Sequence, residues 1–189
     1  MNTADEVFIP DGQFIDPIAY PESQADIILL QQLKHSLALI IILLIVIQFV
    51  QPSKNNGSAQ STTDITKAVQ VPDTVMSLLK TACYDCHSDS TRYPWYNHIT
   101  PVNWWLRNHI NEGKRHLNYT EFNTGTFKRR MRRLDETAEQ VEKHEMPISS
   151  YLWIHQDARL SDAQRKLIID WAKSAQQKIL QDSLSATTH

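Results

Sequence analysis

Both cysteines of this 189-residue chain fall within five residues, Cys83-Tyr84-Asp85-Cys86-His87. Two thiols three residues apart at a helix end can add to the two vinyl groups of a porphyrin. The histidine that follows is then placed under the iron as an axial ligand. This is the spacing of c-type haem attachment, with Cys83 and Cys86 as anchors and His87 as the proximal ligand. Three other chemistries use similar residues and stay open at this point. A thioredoxin-like dithiol needs a βαβ setting. A zinc site needs a third and fourth ligand, for which eight histidines are available. A plain disulfide suits an exported chain.

A haem iron so held takes a ligand on its other face. Met146, in the run His144-Glu145-Met146-Pro147, is the first candidate, since the proline fixes the loop that presents it and a thioether opposite histidine raises the reduction potential. A methionine filling the core is the plainer reading of the same residue. His109 is the second candidate. His98, His116, His144 and His155 follow, and an open five-coordinate site is the remaining case.

These residues must be positioned by helices. Val75, Leu78, Leu79 and Ala82 recur at helical spacing, with Asp73 as the cap, in a helix that runs into Cys83. Pro101 opens a second helix with the stripe Val102, Trp105, Leu106 and Ile110, and Gly113 is expected to end it. Phe127, Met131, Leu134, Ala138 and Val141 mark a third, stopped by Pro147. Ser161 and Gln164 form a capping box for a fourth, with Leu167, Ile168, Trp171, Ala175 and Ile179 inward. No alternating strand pattern is found, so the expected class is all-α: a small cytochrome c-like helical domain following one transmembrane helix.

That transmembrane helix is read at 33–50. Residues 37–50 (LALIIILLIVIQFV) are apolar on every side apart from Gln48, and about 20 such residues cross a bilayer. Lys34 can snorkel to the headgroups. An acidic stretch precedes the span, with six carboxylates and no Lys or Arg in residues 1–33. That is unlike the short basic start of a secretory signal, so an uncleaved signal anchor is expected, although the small residues Gly57-Ser58-Ala59 could serve as a cleavage site. The organisation that follows is an acidic cytoplasmic segment at 1–32, the anchor at 33–50, a flexible tether at 51–68, a haem domain at 69–182 and a disordered tail at 183–189. The haem domain is placed in the periplasm, outside the inner membrane.

Tyr93, Trp95, Tyr96, Trp104 and Trp105 could wall a haem edge and donate to a propionate, or be ordinary core. Lys128, Arg129, Arg130, Arg132 and Arg133 read as a solvated helix face balanced by Glu136, Glu139 and Glu142. Nucleic acid is not an expected partner; a periplasmic or membrane redox protein is. No GxxxxGK[ST] or GxGxxG is present, and no nucleophile–base set stands out.

The stretch 71–172 resembles the membrane-tethered bacterial haem-binding domain family of cytochrome c type. The resemblance is carried by C-Y-D-C-H-S (83–88), Y-P-W-Y (93–96), P-V-N-W-W (101–105), Gly113, Leu117, Asn118, Tyr119, Met146, Pro147, Tyr151, L-S (160–161) and Trp171. It implies one covalent haem c with its iron, held by Cys83, Cys86 and His87, with Met146 opposite. Where a second proline often follows the Met-Pro pair, this chain has Ile148. The expected role is one-electron transfer. A haem-based gas or redox sensor and a haem enzyme such as a peroxidase are the alternatives, and both need an open or labile distal face.

Overall fold

The computed structural model describes residues 24–58 and 61–187. The chain forms an N-terminal unit ending at Val46 and a larger unit beginning at Ile47. The first holds α1 (Gln24–Ile47), with no buried residue and a mean hydropathy of 2.0. Its 24 residues give a length of about 36 Å, enough for the ~30 Å hydrocarbon core. It starts earlier and ends sooner than the expected 33–50. The acidic residues 1–23 lie outside the described residues.

The larger unit is helical, and among the described residues it contains no strand. Its helices are α2 (Asp73–Ala82), α3 (Tyr84–His87), α4 (Val102–His116), α5 (Phe127–Glu142), α6 (Ser149–Leu152) and α7 (Asp162–Thr187). α5 and α7 pack antiparallel: Gln176 Nε2 donates to Met131 O at 2.8 Å, while Arg165, at the other end of α7, reaches Val141 O at 3.1 Å. α2 lies across α7 and hands the chain to α3, which rests on α4. The main core gathers Ile65, Leu79, Tyr119, Phe122, Leu134 and Ile168. A smaller cluster of Tyr96, Leu106 and Ile110 packs against Cys86.

The helix signals resolve unevenly. The capping box forms as expected: Ser161 N donates to Gln164 Oε1 at 2.8 Å, and Gln164 N to Ser161 Oγ at 3.3 Å. Pro72, not Asp73, is the N-cap of α2. Leu167 is exposed, its place on the buried side of α7 taken by Ala172. On α4, Leu106 and Ile110 are buried, but Val102 and Trp105 face out and Asn103 is buried instead. α5 ends at Glu142, five residues before Pro147, because His144 turns the chain with φ of 60°. Glu145 N and Met146 N then both bond to Gln140 O, at 3.0 and 3.1 Å. α7 continues to Thr187, so most of the expected tail at 183–189 is helical; residues 188–189 lie outside the described residues.

The stretch expected as a flexible tether, 51–68, is instead bound to the domain. Gln48 exchanges two hydrogen bonds with the backbone of Thr100, each of 2.9 Å. Asn103 Nδ2 donates to Gln51 Oε1, and Trp104 Nε1 to Val50 O. Asn55 donates its backbone N–H to Tyr93 Oη and its side-chain amide to Ser88 O. Gly57 N donates to Asp89 O at 2.6 Å, an approach so close that a Cβ on Gly57 would meet Asp89 at 2.8 Å. Asp64 caps a 3-10 turn over Ile65–Lys67, and Ile65 is 0% exposed at the centre of the core. Exposed along much of its described length, the segment still docks, because Asn55 and Thr63 donate to backbone carbonyls of Ser88 and Thr120 in the domain.

Candidate haem-binding site

α2 ends at Cys83, and the backbone N–H groups of Cys86 and His87 both bond to Cys83 O, at 3.2 and 2.9 Å. This single turn, α3, holds the C-x-x-C-H motif as a unit. It sits directly on α4, and Gly113 is what allows the approach. A Cβ there would lie 2.7 Å from Cys86 O and 3.1 Å from Cys86 Cβ. Gly113 was expected to end its helix, but α4 runs on to His116. The glycine marks close packing against the motif rather than a helix stop.

His87 Nδ1 lies 3.0 Å from Leu117 O. A carbonyl only accepts, so Nδ1 carries the proton and Nε2 is left with its lone pair, the tautomer that binds iron. Burial holds the imidazole below its usual pKa of 6.5, with the Leu117 carbonyl working in the opposite direction. The ring is therefore a neutral donor.

Cys83, Cys86 and His87 line a cavity of about 580 Å³ whose wall also includes Met146, His109, His116, Arg133, Gln140 and Tyr151. The volume falls within the roughly 300–1,000 Å³ of ordinary ligand pockets. The four residues expected to hold the cofactor thus come together on one cavity. His109 and His116 join them there; His98, His144 and His155 do not. His109 Nδ1 lies 3.0 Å from Trp105 O and its ring 4.2 Å from that indole, an arrangement that, as in His87, leaves Nε2 with the lone pair. His155 is stacked on Tyr151, and its Nε2 is hydrogen-bonded to Tyr96 Oη at 3.0 Å.

Met146 is held through its backbone. Buried Arg165 sends Nη1 to both Val141 O and Met146 O, at 3.1 and 3.0 Å, which joins the end of α5 to the Met-Pro loop. On the motif side, buried Asp85 receives Arg92 and the Tyr151 hydroxyl, the latter at 2.8 Å. Tyr151 belongs to α6, just beyond the Met-Pro pair, so Asp85 ties the motif to the segment that follows Met146. Sequence reasoning passed over Asp85, Arg165 and Gly113 as fixing elements. The signal for Asp85 was its place inside the motif; Arg165 had none, since an arginine four residues into a helix reads as surface.

The competing chemistries of the motif find little here. Both thiols are unpaired. Burial, reinforced by Cys86, pushes the Cys83 thiol up to about 12, and burial with Asp85 pushes Cys86 up to about 11. A catalytic dithiol needs a depressed pKa. Among the described residues no three His, Cys, Asp or Glu side chains converge as a metal site made by protein alone.

Of the two readings of the aromatic cluster, a haem-edge wall or ordinary core, the first finds no support: none of Tyr93, Trp95, Tyr96, Trp104 and Trp105 lines the cavity. Tyr93 and Trp104 bind the 50–55 segment, Tyr96 binds His155, and Trp95 is 74% exposed. The cavity side of α4 is taken by His109, Glu112, Gly113 and His116, one to three turns further on. Arg133 is also not part of the solvated basic face; it is 5% exposed and lines the cavity.

An α-helical unit that gathers C-x-x-C-H and a methionine on one cavity, with a buried guanidinium beside them, has the features of a haem-binding helical domain. The chain belongs to the haem-binding domain family, whose sequence profile matches residues 42–174. The match takes in the 51–68 segment, in keeping with its being bound to the domain. No curated protein and no solved structure matches the chain.

Proposed function

We propose that this chain is a membrane-anchored, periplasmic carrier of single electrons, with one haem c held by Cys83, Cys86, His87 and Met146. The observation that carries the reading is that these four residues line one cavity, with the His87 tautomer set by Leu117 O and the Met146 backbone clamped by Arg165. Cys83 and Cys86 would hold the haem by adding S–H across its vinyl double bonds: an S–C and a C–H bond would form as the S–H and π bonds are lost, with neither oxidant nor leaving group required. The bound haem supplies a one-electron iron couple. His87 Nε2 and the Met146 sulfur would be the residues that hold its iron, and a thioether would favour the ferrous state. α1 anchors the chain in the inner membrane with the domain exported, and the partner is a periplasmic or membrane redox protein.

Electronic spectra of the purified chain test the ligand set. A methionine sulfur on ferric iron gives a weak far-red charge-transfer band. Met146→Ala should remove the band, lower the reduction potential and open the iron to carbon monoxide. His109→Ala should leave the band in place. A spectrum altered by His109→Ala and not by Met146→Ala would replace this set with bis-histidine ligation. Ready carbon monoxide binding by the wild-type ferrous protein would favour the sensor or enzyme alternatives.

A further inference from the structure

Arg133 is buried within α5, and its Nε and Nη1 have no hydrogen-bond partner. Its carbonyl accepts from Thr137 Oγ1 at 2.8 Å, but among the described residues no carboxylate forms an ion pair with its guanidinium. The nearest candidate on its own helix, Glu136, is engaged by Arg132 at 3.6 Å. Burial and the neighbouring Arg129 and Arg132 lower its pKa, opposed by Glu121 and Glu136, yet a guanidinium keeps its charge at any ordinary pH. A buried, unpaired cation is costly in a folded protein unless an anion reaches it. The residue lines the same cavity as the C-x-x-C-H motif.

We propose that Arg133 is the anion-binding residue of this cavity and pairs with a propionate carboxylate of the haem. The chemistry matches in kind. A guanidinium presents a planar fork of donors that suits a carboxylate, and it forms its strongest bonds where water is excluded. None of the aromatic hydroxyl and indole donors that the sequence offered for a propionate lines the cavity, and among the described residues Arg133 is the cavity-lining side chain with buried nitrogen atoms that have no partner. The pairing neutralises the buried charge, so cofactor and α5 stabilise each other. The proposal rests on haem occupying this cavity.

Resonance Raman spectra of the full-length, haem-loaded chain in detergent test it, because the propionate bending mode reports hydrogen bonding to the carboxylate. Arg133→Met should shift the band of one propionate. Arg133→Lys, which keeps the charge and most of the stem, should give a smaller shift. Arg132→Met, at the exposed ion pair, should leave the band unchanged. Arg133→Met should also lower the reduction potential more than Arg132→Met does. A wild-type propionate band in folded Arg133→Met, or in Arg133→Lys should the Met variant fail to fold, overturns the proposal while leaving the haem reading intact. A chain that takes up no haem overturns both.

Discussion

Gly113→Ala tests whether the contact between α4 and the attachment motif is as tight as the geometry makes it. In an exposed helix interior, replacing glycine by alanine stabilises by about 1 kcal/mol, because glycine has more backbone freedom to lose on folding. At this position the new methyl group would sit 2.7 Å from the Cys86 carbonyl oxygen, where ordinary contact begins near 3.4 Å. Helix and motif must therefore part by roughly 0.7 Å, and the obstacle is backbone, which cannot rotate aside. Overpacking of this kind costs about 1–3 kcal/mol. The two effects together turn an expected gain into a loss of up to about 2 kcal/mol, or several degrees in Tm. Urea and thermal unfolding of the haem-loaded chain, followed by far-UV circular dichroism, measure it. Asn111→Ala, an exposed site on the same helix, is the control and should gain about half a kcal/mol. The yield of attached haem should also fall in Gly113→Ala, since the displaced segment carries Cys86 and His87. If Gly113→Ala stabilises the protein as Asn111→Ala does, α4 has slack against the motif and the close-packing argument is wrong.

Arg165→Met should cost about 2–3 kcal/mol in urea unfolding, because it strips a charged donor from the carbonyls of Val141 and Met146. It should also speed carbon monoxide binding to the ferrous protein by loosening the Met146 loop. His144→Gly should raise stability by about 1 kcal/mol in the same assay, since His144 has a φ of 60° that glycine adopts without strain. A reporter active only in the periplasm should be active when fused after Leu180; activity confined to fusions before Asp26 would reverse the topology.

Where the fold depends on a repeating apolar face, it was readable in advance. The stripes of α2, α5 and α7 and the Ser161–Gln164 box carry their signal in spacing alone. The attachment motif was legible for a related reason: its chemistry requires three residue types at fixed offsets. What escaped was held by single, non-periodic contacts. The 51–64 segment docks through Asn55, Gly57 and Asp64, whose small polar character is also that of a solvated linker. Gly113 has the same identity whether it ends a helix or admits a neighbouring backbone. Arg133 sits among four other basic residues, and only the packing of α5 decides which of the five turns inward. The five aromatics from Tyr93 to Trp105 were read as a haem-edge wall or ordinary core; Tyr93 and Trp104 instead hold the 50–55 segment, which showed no pattern of its own.

The intact mass of the chain, purified from cells that contain the cytochrome maturation machinery, tests the central claim most directly. The expected mass is that of the polypeptide plus one haem, with colour that stays on the protein through acid–acetone extraction and is lost in the double variant Cys83→Ala plus Cys86→Ala. Haem released into the solvent, or a mass equal to the polypeptide alone, would contradict it.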